Sequence, residues 1–337
     1  MILERIADAL VAIARQGGLI GIYPHVGADG DALGSALGLA LPLREAGAQV
    51  RIFTDEPVSA RLDFLPSLDL VQAYASISSD LWPADQALSV AVDCTEPQRV
   101  GCRMGLYLDA PLQASLDHHV SSGESGGLHW IDPQAAATGE IILDLVDLLE
   151  QRLEQPLMTQ PAAMALITAI ISDTGGFVYS NTSARSFAAA ARLMAFEPDL
   201  RTITYRLFHE TSQTRLRLTG RLFTDAQFLE NGRLVYASVG QTMLKSMDAD
   251  EKDLDGIVAD LRNVAGVEVA MLFRELADGA IRVNIRSNDR FHAADFARAY
   301  GGGGHAKAAG MTVSHSNLAE VTGQVLADAA RWLHGPD

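Results

Sequence analysis

Three short apolar runs near the start of the chain each stop on a side chain able to bind a cation. "GLIGIYP" (Gly18–Pro24) leads into His25, "ALSVAVD" (Ala87–Asp93) ends on Asp93, and "LQASLD" (Leu112–Asp117) ends on Asp117. A further run, "AQVRIFT" (Ala48–Thr54), follows a helically spaced stretch, "ALGSALGLALPLREA", that stops at Gly47. Short apolar runs bounded by glycine or proline suit buried strands, and strands alternating with helices indicate a mainly parallel α/β sheet. In such sheets ligands gather beyond the carboxyl ends of the strands. The side chains at those ends are therefore the first candidates for function.

From about residue 138 the pattern turns helical, in "GEIILDLVDLLEQRLE", "AAMALITAIISD" and "SARSFAAAARLMAF". A further helical stretch, Asp199 to Phe228, carries Arg201, Arg206, Arg215, Arg217 and Arg221, which fit an ordinary solvated helix face. A second α/β unit starts near Arg233 with "RLVYASV" and passes through a hairpin, "VEVAMLFRELADGAIRVNIRS", whose Asp278-Gly279 is a turn signal. A helix, "GGGGH", a strand "GMTVS" and a closing helix from Asn317 to Leu333 complete it. The expected organisation is a mainly parallel-sheet domain over 1–182, a helical connector over 183–230 and a smaller α/β domain over 231–337.

Composition narrows the function. A formal charge of −16 argues against a duplex-binding protein, which would show a basic face. Bound divalent cations can reverse the field locally, so the acidity limits substrate size more than substrate charge. The longest nearly apolar run, "AAMALITAIIS" (Ala162–Ser172), falls short of the ~20 residues that span a bilayer. The N-terminal "MILERIADALVAIARQ" reads as an amphipathic helix without a signal-peptide region. Two cysteines, Cys94 and Cys102, make no disulfide framework, and Cys94 reads as a small buried residue. A cytoplasmic protein without membrane contact is expected.

Five elements can carry chemistry: His25, Asp29 and Asp31 on one strand-to-helix loop; Asp93; Asp117, His118 and His119; Asp173 in "ISDTGGF"; and the loop from Gly301 to His305. Each carboxylate has an ordinary reading. Asp29 and Asp31 suit a helix N-terminus, Asp93 a turn or cap, and Asp173 an Asx turn before Gly175 and Gly176. Adjacent histidines are harder to dismiss, because burying both without partners is costly. The joint occurrence, mostly at strand ends of one frame, favours divalent cations such as Mn²⁺ or Mg²⁺. A pair of such cations about 3.5–4 Å apart needs a shared carboxylate, and Asp93, in the middle of the set, is the expected bridge. In "YGGGGHAKAAG", four glycines could form a flexible linker, but they sit between a helix and a strand inside a compact unit. Gly301, Gly302, Gly303 and Gly304 let backbone N–H groups approach a phosphate, with His305, Lys307 and Arg286 as polar or cationic partners. His129, His209, His292, His315 and His334 have no such surroundings, and Glu140 reads as first-turn helix chemistry.

Taken together, "HVGADGDALGS", "AVDC", "LDHHVS", "SDTGGF" and "GGGGHAKAAG", in this order, resemble the DHH phosphoesterase superfamily with its DHH-associated C-terminal domain, over nearly the whole chain. The nearest likeness is to bacterial members that degrade very short oligoribonucleotides and dephosphorylate 3′-phosphoadenosine 5′-phosphate. The resemblance implies two domains with an active-site cleft between them and two divalent ions, Mn²⁺ ahead of Mg²⁺. One ion would take His25, Asp29 and Asp93; the other Asp31, Asp93, His118 and Asp173. His119 would face the scissile phosphate, Asp117 would orient the site, and Arg286, the glycines and His305 would hold the nucleotide or its terminal phosphate. Short single-stranded oligonucleotides or small nucleotides are the implied partners, with a homodimer by family likeness. Many relatives carry an Arg-Pro or similar pair where this chain has Gly27-Ala28, so a phosphate contact from that position would be missing. Competing readings are a cyclic-dinucleotide phosphodiesterase, a RecJ-like single-strand exonuclease, a pyrophosphatase or polyphosphatase, and a nucleotide- or RNA-binding module without turnover.

Overall fold

Every apolar run of the first half becomes a strand in one parallel sheet. The computed structural model describes residues 2–74, 85–119, 127–314 and 317–334, so His315 and the last two residues of "LDHHVS" lie outside the described residues. In chain order the first elements are α1 (Ile2–Arg15), β1 (Leu19–Pro24), α2 (Gly30–Glu45), β2 (Gln49–Thr54), β3 (Val71–Ala73), β4 (Gln86–Val92), α3 (Met104–Leu108), β5 (Gln113–Asp117) and β6 (Leu128–Ile131). Then follow α4 (Thr138–Leu153), α5 (Gln160–Asp173), α6 (Ala184–Met194) and α7 (Leu200–Thr204). The six strands run parallel in the order β3-β2-β1-β4-β5-β6. Because β1 lies between β2 and β4, the winding reverses there, and a crevice opens beyond the carboxyl ends of β1 and β4. The edge strands β3 and β6 carry too few apolar residues to be read from the sequence; pairing with β2 and β5 defines them.

Helix α1 buries the stripe Leu3, Ile6, Ala7, Leu10, Val11 and Ala14, the 3.6-residue period of an amphipathic helix. Helix α2 is buried along most of its length and lies against α5 through glycines four residues apart. A Cβ on Gly30 would strike the Ser172 side chain, one on Gly34 would come within 2.6 Å of the Ala165 carbonyl, and one on Gly38 would strike Leu166. This seam lets the two backbones approach closely. It also sets the start of α2, with Asp31, beside the end of α5, with Asp173. The opposite face of the sheet is covered by a smaller cluster, Tyr23, Phe53, Val100, Leu106 and Tyr107, in which Tyr23 stacks on Phe53 at 5.3 Å.

The chain divides into two compact units, 1–210 and 211–337. The stretch read as a connector is shared between them, with α6 and α7 in the first and α8 (Gln213–Asp225) in the second. Ser212 accepts a hydrogen bond from the Arg215 amide and starts α8 afresh. Phe228, expected at the end of that helical stretch, instead belongs to β7 (Gln227–Leu229), because it pairs antiparallel with the next strand. Arg201, Arg217 and Arg221 are exposed, the last pairing with Asp225 at 2.5 Å, but Arg206 and Arg215 are half-buried: Arg206 pairs with Glu210 at 2.6 Å and lies over the Phe64 ring, and Arg215 donates to the Asp255 carbonyl.

The second unit continues with β8 (Leu234–Val239), α9 (Gln241–Ser246), α10 (Ile257–Arg262), β9 (Val269–Glu275), β10 (Ile281–Ser287), α11 (Ala293–Arg298), β11 (Gly303–His305), β12 (Ala308–Val313) and α12 (Leu318–His334). Its mixed sheet, β11-β12-β10-β9-β8-β7, is covered on both faces. Strand β9 therefore reads as a continuous apolar run: Val269, Met271 and Phe273 enter one core and Ala270 and Leu272 the other. In β10 the alternation is clean, with Ile281, Val283 and Ile285 in the core. The expected hairpin forms, with Gly279 at φ +83° and the Ala280 amide donating to Asp278 Oδ1. Among the described residues no helix is long and apolar enough to cross a membrane.

The glycine seam makes a stability prediction. Gly34→Val forces a branched side chain against the α5 backbone and lowers unfolding free energy by about 1–3 kcal/mol in urea titration. Gly323→Ala, on the exposed face of α12 with open space at its Cβ, raises it by up to about 1 kcal/mol.

Candidate metal centre

Side chains from the ends of β1, β4, β5 and α5 and the start of α2 meet at the switch point. Strand β1 delivers His25. Asp29 caps α2, its Oδ1 accepting from the Asp31 and Ala32 amides at 3.0 Å, and so fills the helix-terminal role as well. Asp93 follows β4 in the left-handed region at φ +61°, a conformation that Asp tolerates better than most residues and that turns its carboxylate into the crevice. Asp117 closes β5, with His118 and His119 next to it, and Asp173 is the last residue of α5.

The distances tie these into trios. His25 Nε2 lies 3.3 Å from Asp93 Oδ2 and 3.9 Å from Asp29 Oδ1. His118 Nε2 lies 3.3 Å from Asp173 Oδ2, 3.6 Å from Asp93 Oδ1 and 3.7 Å from Asp31 Oδ2. Two groups able to hold a cation result, His25–Asp29–Asp93 and Asp31–His118–Asp173; a third overlapping group is Asp93–His118–His119. The two oxygens of Asp93 thus face different histidines.

The donor set fits cations. His25 Nδ1 bonds to the Val26 carbonyl at 2.8 Å, and His118 Nδ1 lies 3.4 Å from the Ala135 carbonyl. A proton on each Nδ1 leaves each Nε2 lone pair facing carboxylates, the arrangement usual for metal-bound histidines. His118 Nε2 is buried and has no hydrogen-bond partner among the described residues. The carboxyl groups carry the same tension. Burial, with the charges of Asp93 and Asp173, raises Asp31 well above the ordinary carboxylate range. Burial, helped by Asp93 and Asp29 against the opposing effect of His118, lifts Asp173 to about 6. Burial opposes the imidazolium of His25, but its bonds to Asp93 and Val26 outweigh that and raise its pKa.

His119 is set apart. Asp117 Oδ1 binds its Nδ1 at 2.8 Å and accepts its backbone amide at 3.0 Å, while Thr95 donates to Asp117 Oδ2 at 3.0 Å. The Asp117 bond raises the imidazole pKa; burial pushes Asp117 up, but its bonds to His119 and Thr95 bring it below its ordinary value. The His119 side chain is 41% exposed against 12% for His118, so a substrate can reach it.

Sequence reasoning missed the residues that hold the carboxylates. The start of α4 grips two of them. The Thr138 amide donates to Asp31 Oδ2 at 2.7 Å and the Gly139 amide to Asp31 Oδ1 at 3.0 Å, while the Thr138 hydroxyl donates to Asp93 Oδ1 at 2.8 Å. Ser35 adds a hydroxyl to Asp31 Oδ1 at 2.9 Å. The one local signal was "ATGE", a helix start without an acidic or hydroxyl N-cap of its own. Glu140 stands in the first turn of α4 as expected, paired with Arg185 at 3.4 Å. Cys94 is buried, which pushes its thiol up to about 12 and leaves it inert.

In the second unit, Arg286 and His305 are both register partners of Ala308, one across β10–β12 and the other across β11–β12. Partners in one row share a face, and Arg286 alternates with the core residues of β10, so the pair lies on the face away from the core cluster that β10 enters. The glycines differ from a simple loop: Gly303 and Gly304 pair with β12, and Gly301 turns the chain at φ +75°. Lys307 is taken up by Asp289 at 2.7 Å.

The sequence matches the model of the DHH family N-terminal domain over residues 19–170 and that of the DHHA1 domain over residues 231–334. A Thermus thermophilus protein named bifunctional oligoribonuclease and PAP phosphatase NrnA is 34% identical over 323 residues, covering 95% of this chain and 91% of its own. The structure of an exopolyphosphatase-related protein from Bacteroides fragilis superposes with a TM-score of 0.88 at 19% identity, covering 99% of this chain and 97% of that one. Exonuclease RecJ bound to manganese superposes with a TM-score of 0.61 at 16% identity, covering 98% and 95%.

Two predictions follow from the geometry. Thr138→Val keeps the α4 amides but removes the hydroxyl on Asp93, and calorimetric titration with Mn²⁺ is expected to show affinity about 10–100-fold weaker. Thr138→Ser restores it. Because Asp173 titrates near 6, a cation must displace its proton at lower pH. Apparent Mn²⁺ affinity should therefore fall as the pH drops through about 6, by up to about tenfold per pH unit for each proton displaced.

Proposed function

This chain belongs to the DHH family, and from that premise we propose that it is a metal-dependent phosphoesterase hydrolysing short oligoribonucleotides to mononucleotides and 3′-phosphoadenosine 5′-phosphate to AMP. The observation that carries the chemistry is the placement of Asp93, whose two oxygens face separate trios, as a carboxylate shared by two cations would. The substrate class is supported by the name of the Thermus thermophilus relative, alike over nearly the full length of both chains.

In this reading His25, Asp29 and Asp93 hold one divalent cation and Asp31, Asp93, His118 and Asp173 the other, with Mn²⁺ preferred to Mg²⁺ because imidazoles share the site. Cations bound there supply charge neutralisation and Lewis-acid polarisation of the phosphoryl group. The chain's own part is orientation and proton handling. Asp117 holds His119 by Nδ1, and its charge favours the imidazolium form, so the exposed ring would stabilise the phosphoryl charge and donate a proton to the leaving oxygen. Arg286 and His305, two strands apart in one row of the second unit's sheet, would bind a phosphate; the strands on either side of β12 stand about 10 Å apart. The charge of −16 favours short substrates, since a long strand is held through many phosphates by a basic groove.

The test is Mn²⁺-dependent release of mononucleotide from 5′-phosphorylated diadenylate, with pyrophosphate, a cyclic dinucleotide and a long single strand alongside. Turnover of the dinucleotide is expected, abolished in Asp93→Ala and lowered about 10²–10⁴-fold in kcat by His119→Ala. Cleavage of pyrophosphate or the long strand in its place would overturn the substrate assignment.

A further inference from the structure

Arg99 is half-buried and, among the described residues, its side chain has neither a hydrogen bond nor an ion pair. Every other arginine there that is buried or half-buried has a hydrogen-bonding partner. A guanidinium that loses hydration is ordinarily met by acceptors, because an unmet charged donor costs more than a neutral one. Acceptors are plentiful in this chain, with 42 acidic residues against 26 basic ones. A cation left unpaired in such company is open to an anion from outside.

Its mounting is rigid. Arg99 stands six residues beyond Asp93, in the turns Pro97–Arg103 between β4 and α3. The next residue, Val100, is buried with Tyr23, Phe53 and Tyr107, and Arg103 donates Nε to Asp55 Oδ1 at 2.7 Å. The Arg99 carbonyl accepts the Val26 amide at 2.9 Å, which ties it to the residue after His25. Its charge also reaches His119: the Asp117 bond raises that imidazole's pKa, and Arg99 is among the groups opposing the rise. His25 and His119 lie 3.3 Å and 3.6 Å from different oxygens of Asp93. Arg99 is thus fixed at the mouth of the candidate metal centre, yet among the described residues it pairs with none of the acids there. Two cationic groups that disfavour each other are reconciled by an anion lying against both.

We propose that Arg99 binds a non-bridging oxygen of the scissile phosphate, beside His119. This role rests on the oligonucleotide reading above and deepens it by one substrate-binding residue. The guanidinium stays charged at every working pH, so it transfers no proton and leaves that task to His119. It donates N–H groups to an oxygen whose negative charge grows as the phosphoryl group is transferred, and the contact therefore strengthens in the transition state.

The experiment compares kcat/KM for 5′-phosphorylated diadenylate and for diadenylate with a free 5′-hydroxyl, in Mn²⁺, using wild type, Arg99→Gln and Arg99→Lys. Calorimetric titrations of the same proteins with Mn²⁺, and then with AMP and adenosine, run in parallel. Arg99→Gln should lower kcat/KM about 10²–10³-fold on both dinucleotides, and Arg99→Lys should recover part of the loss. AMP binding should weaken about 10–100-fold in Arg99→Gln, with adenosine binding unchanged. Mn²⁺ affinity should also hold, since the bond to Val26 uses a backbone carbonyl that the substitution keeps. A loss confined to the 5′-phosphorylated dinucleotide would place Arg99 on the terminal phosphate and overturn the proposal alone. So would full activity in Arg99→Gln, or a loss shared by Mn²⁺ or adenosine binding, which marks a structural prop. Silence of the wild type on both dinucleotides would overturn the oligonucleotide reading and this proposal with it.

Discussion

The carboxylate of Asp31 is buried among other acids, and the architecture around the site is arranged to keep it there. Ionising it unaided would be prohibitive. Two backbone amides from the first turn of α4 and the Ser35 hydroxyl supply three hydrogen bonds, and the positive end of the α4 dipole adds to them. They do not suffice, as the raised pKa values of Asp31 and Asp173 record. A divalent cation held there would relieve the remaining repulsion.

That constraint reaches into the helices. Asp173 can stand near Asp31 only because α2 and α5 approach within backbone contact along Gly30, Gly34 and Gly38. The start of α4 can reach both Asp31 and Asp93 only if it lies over the crevice. Arg185 pins that region by binding Asp132, Glu140 and Asp144 together, and Asn181 bridges the Ala136 and Asp173 carbonyls at 3.0 Å. Histidine orientation is set just as locally, by carbonyls at Val26 and Ala135 that hold Nδ1 and aim Nε2 inward. The candidate ligand atoms are thus held in place by the chain's own contacts.

Much of this was legible beforehand, for a physical reason. Buried parallel strands must be apolar, so β1, β2, β4 and β5 announce themselves, and the strand-end rule then points to His25, Asp93 and Asp117. Edge strands carry no such signal; β3 and β6 exist through their pairing, and β7 was hidden inside a helical pattern. The glycine tract read as a loop partly pairs as β11, because glycine is permissive enough to accept whatever register β12 imposes. Thr95 and Thr138 gave no warning. A threonine near a strand end or helix start is ordinary until its partner is known.

By itself, then, the sequence determined the kinds of side chain available, their places at the ends of strands and helices, and the doubly wound alternation that brings such ends to one side. Those are consequences of periodicity and local chemistry. Tertiary structure alone decided which oxygen of Asp93 faces which histidine and that α4 holds an aspartate 107 residues away. These depend on strand order and helix approach, which are set by the packing of distant segments against one another and which no local pattern encodes.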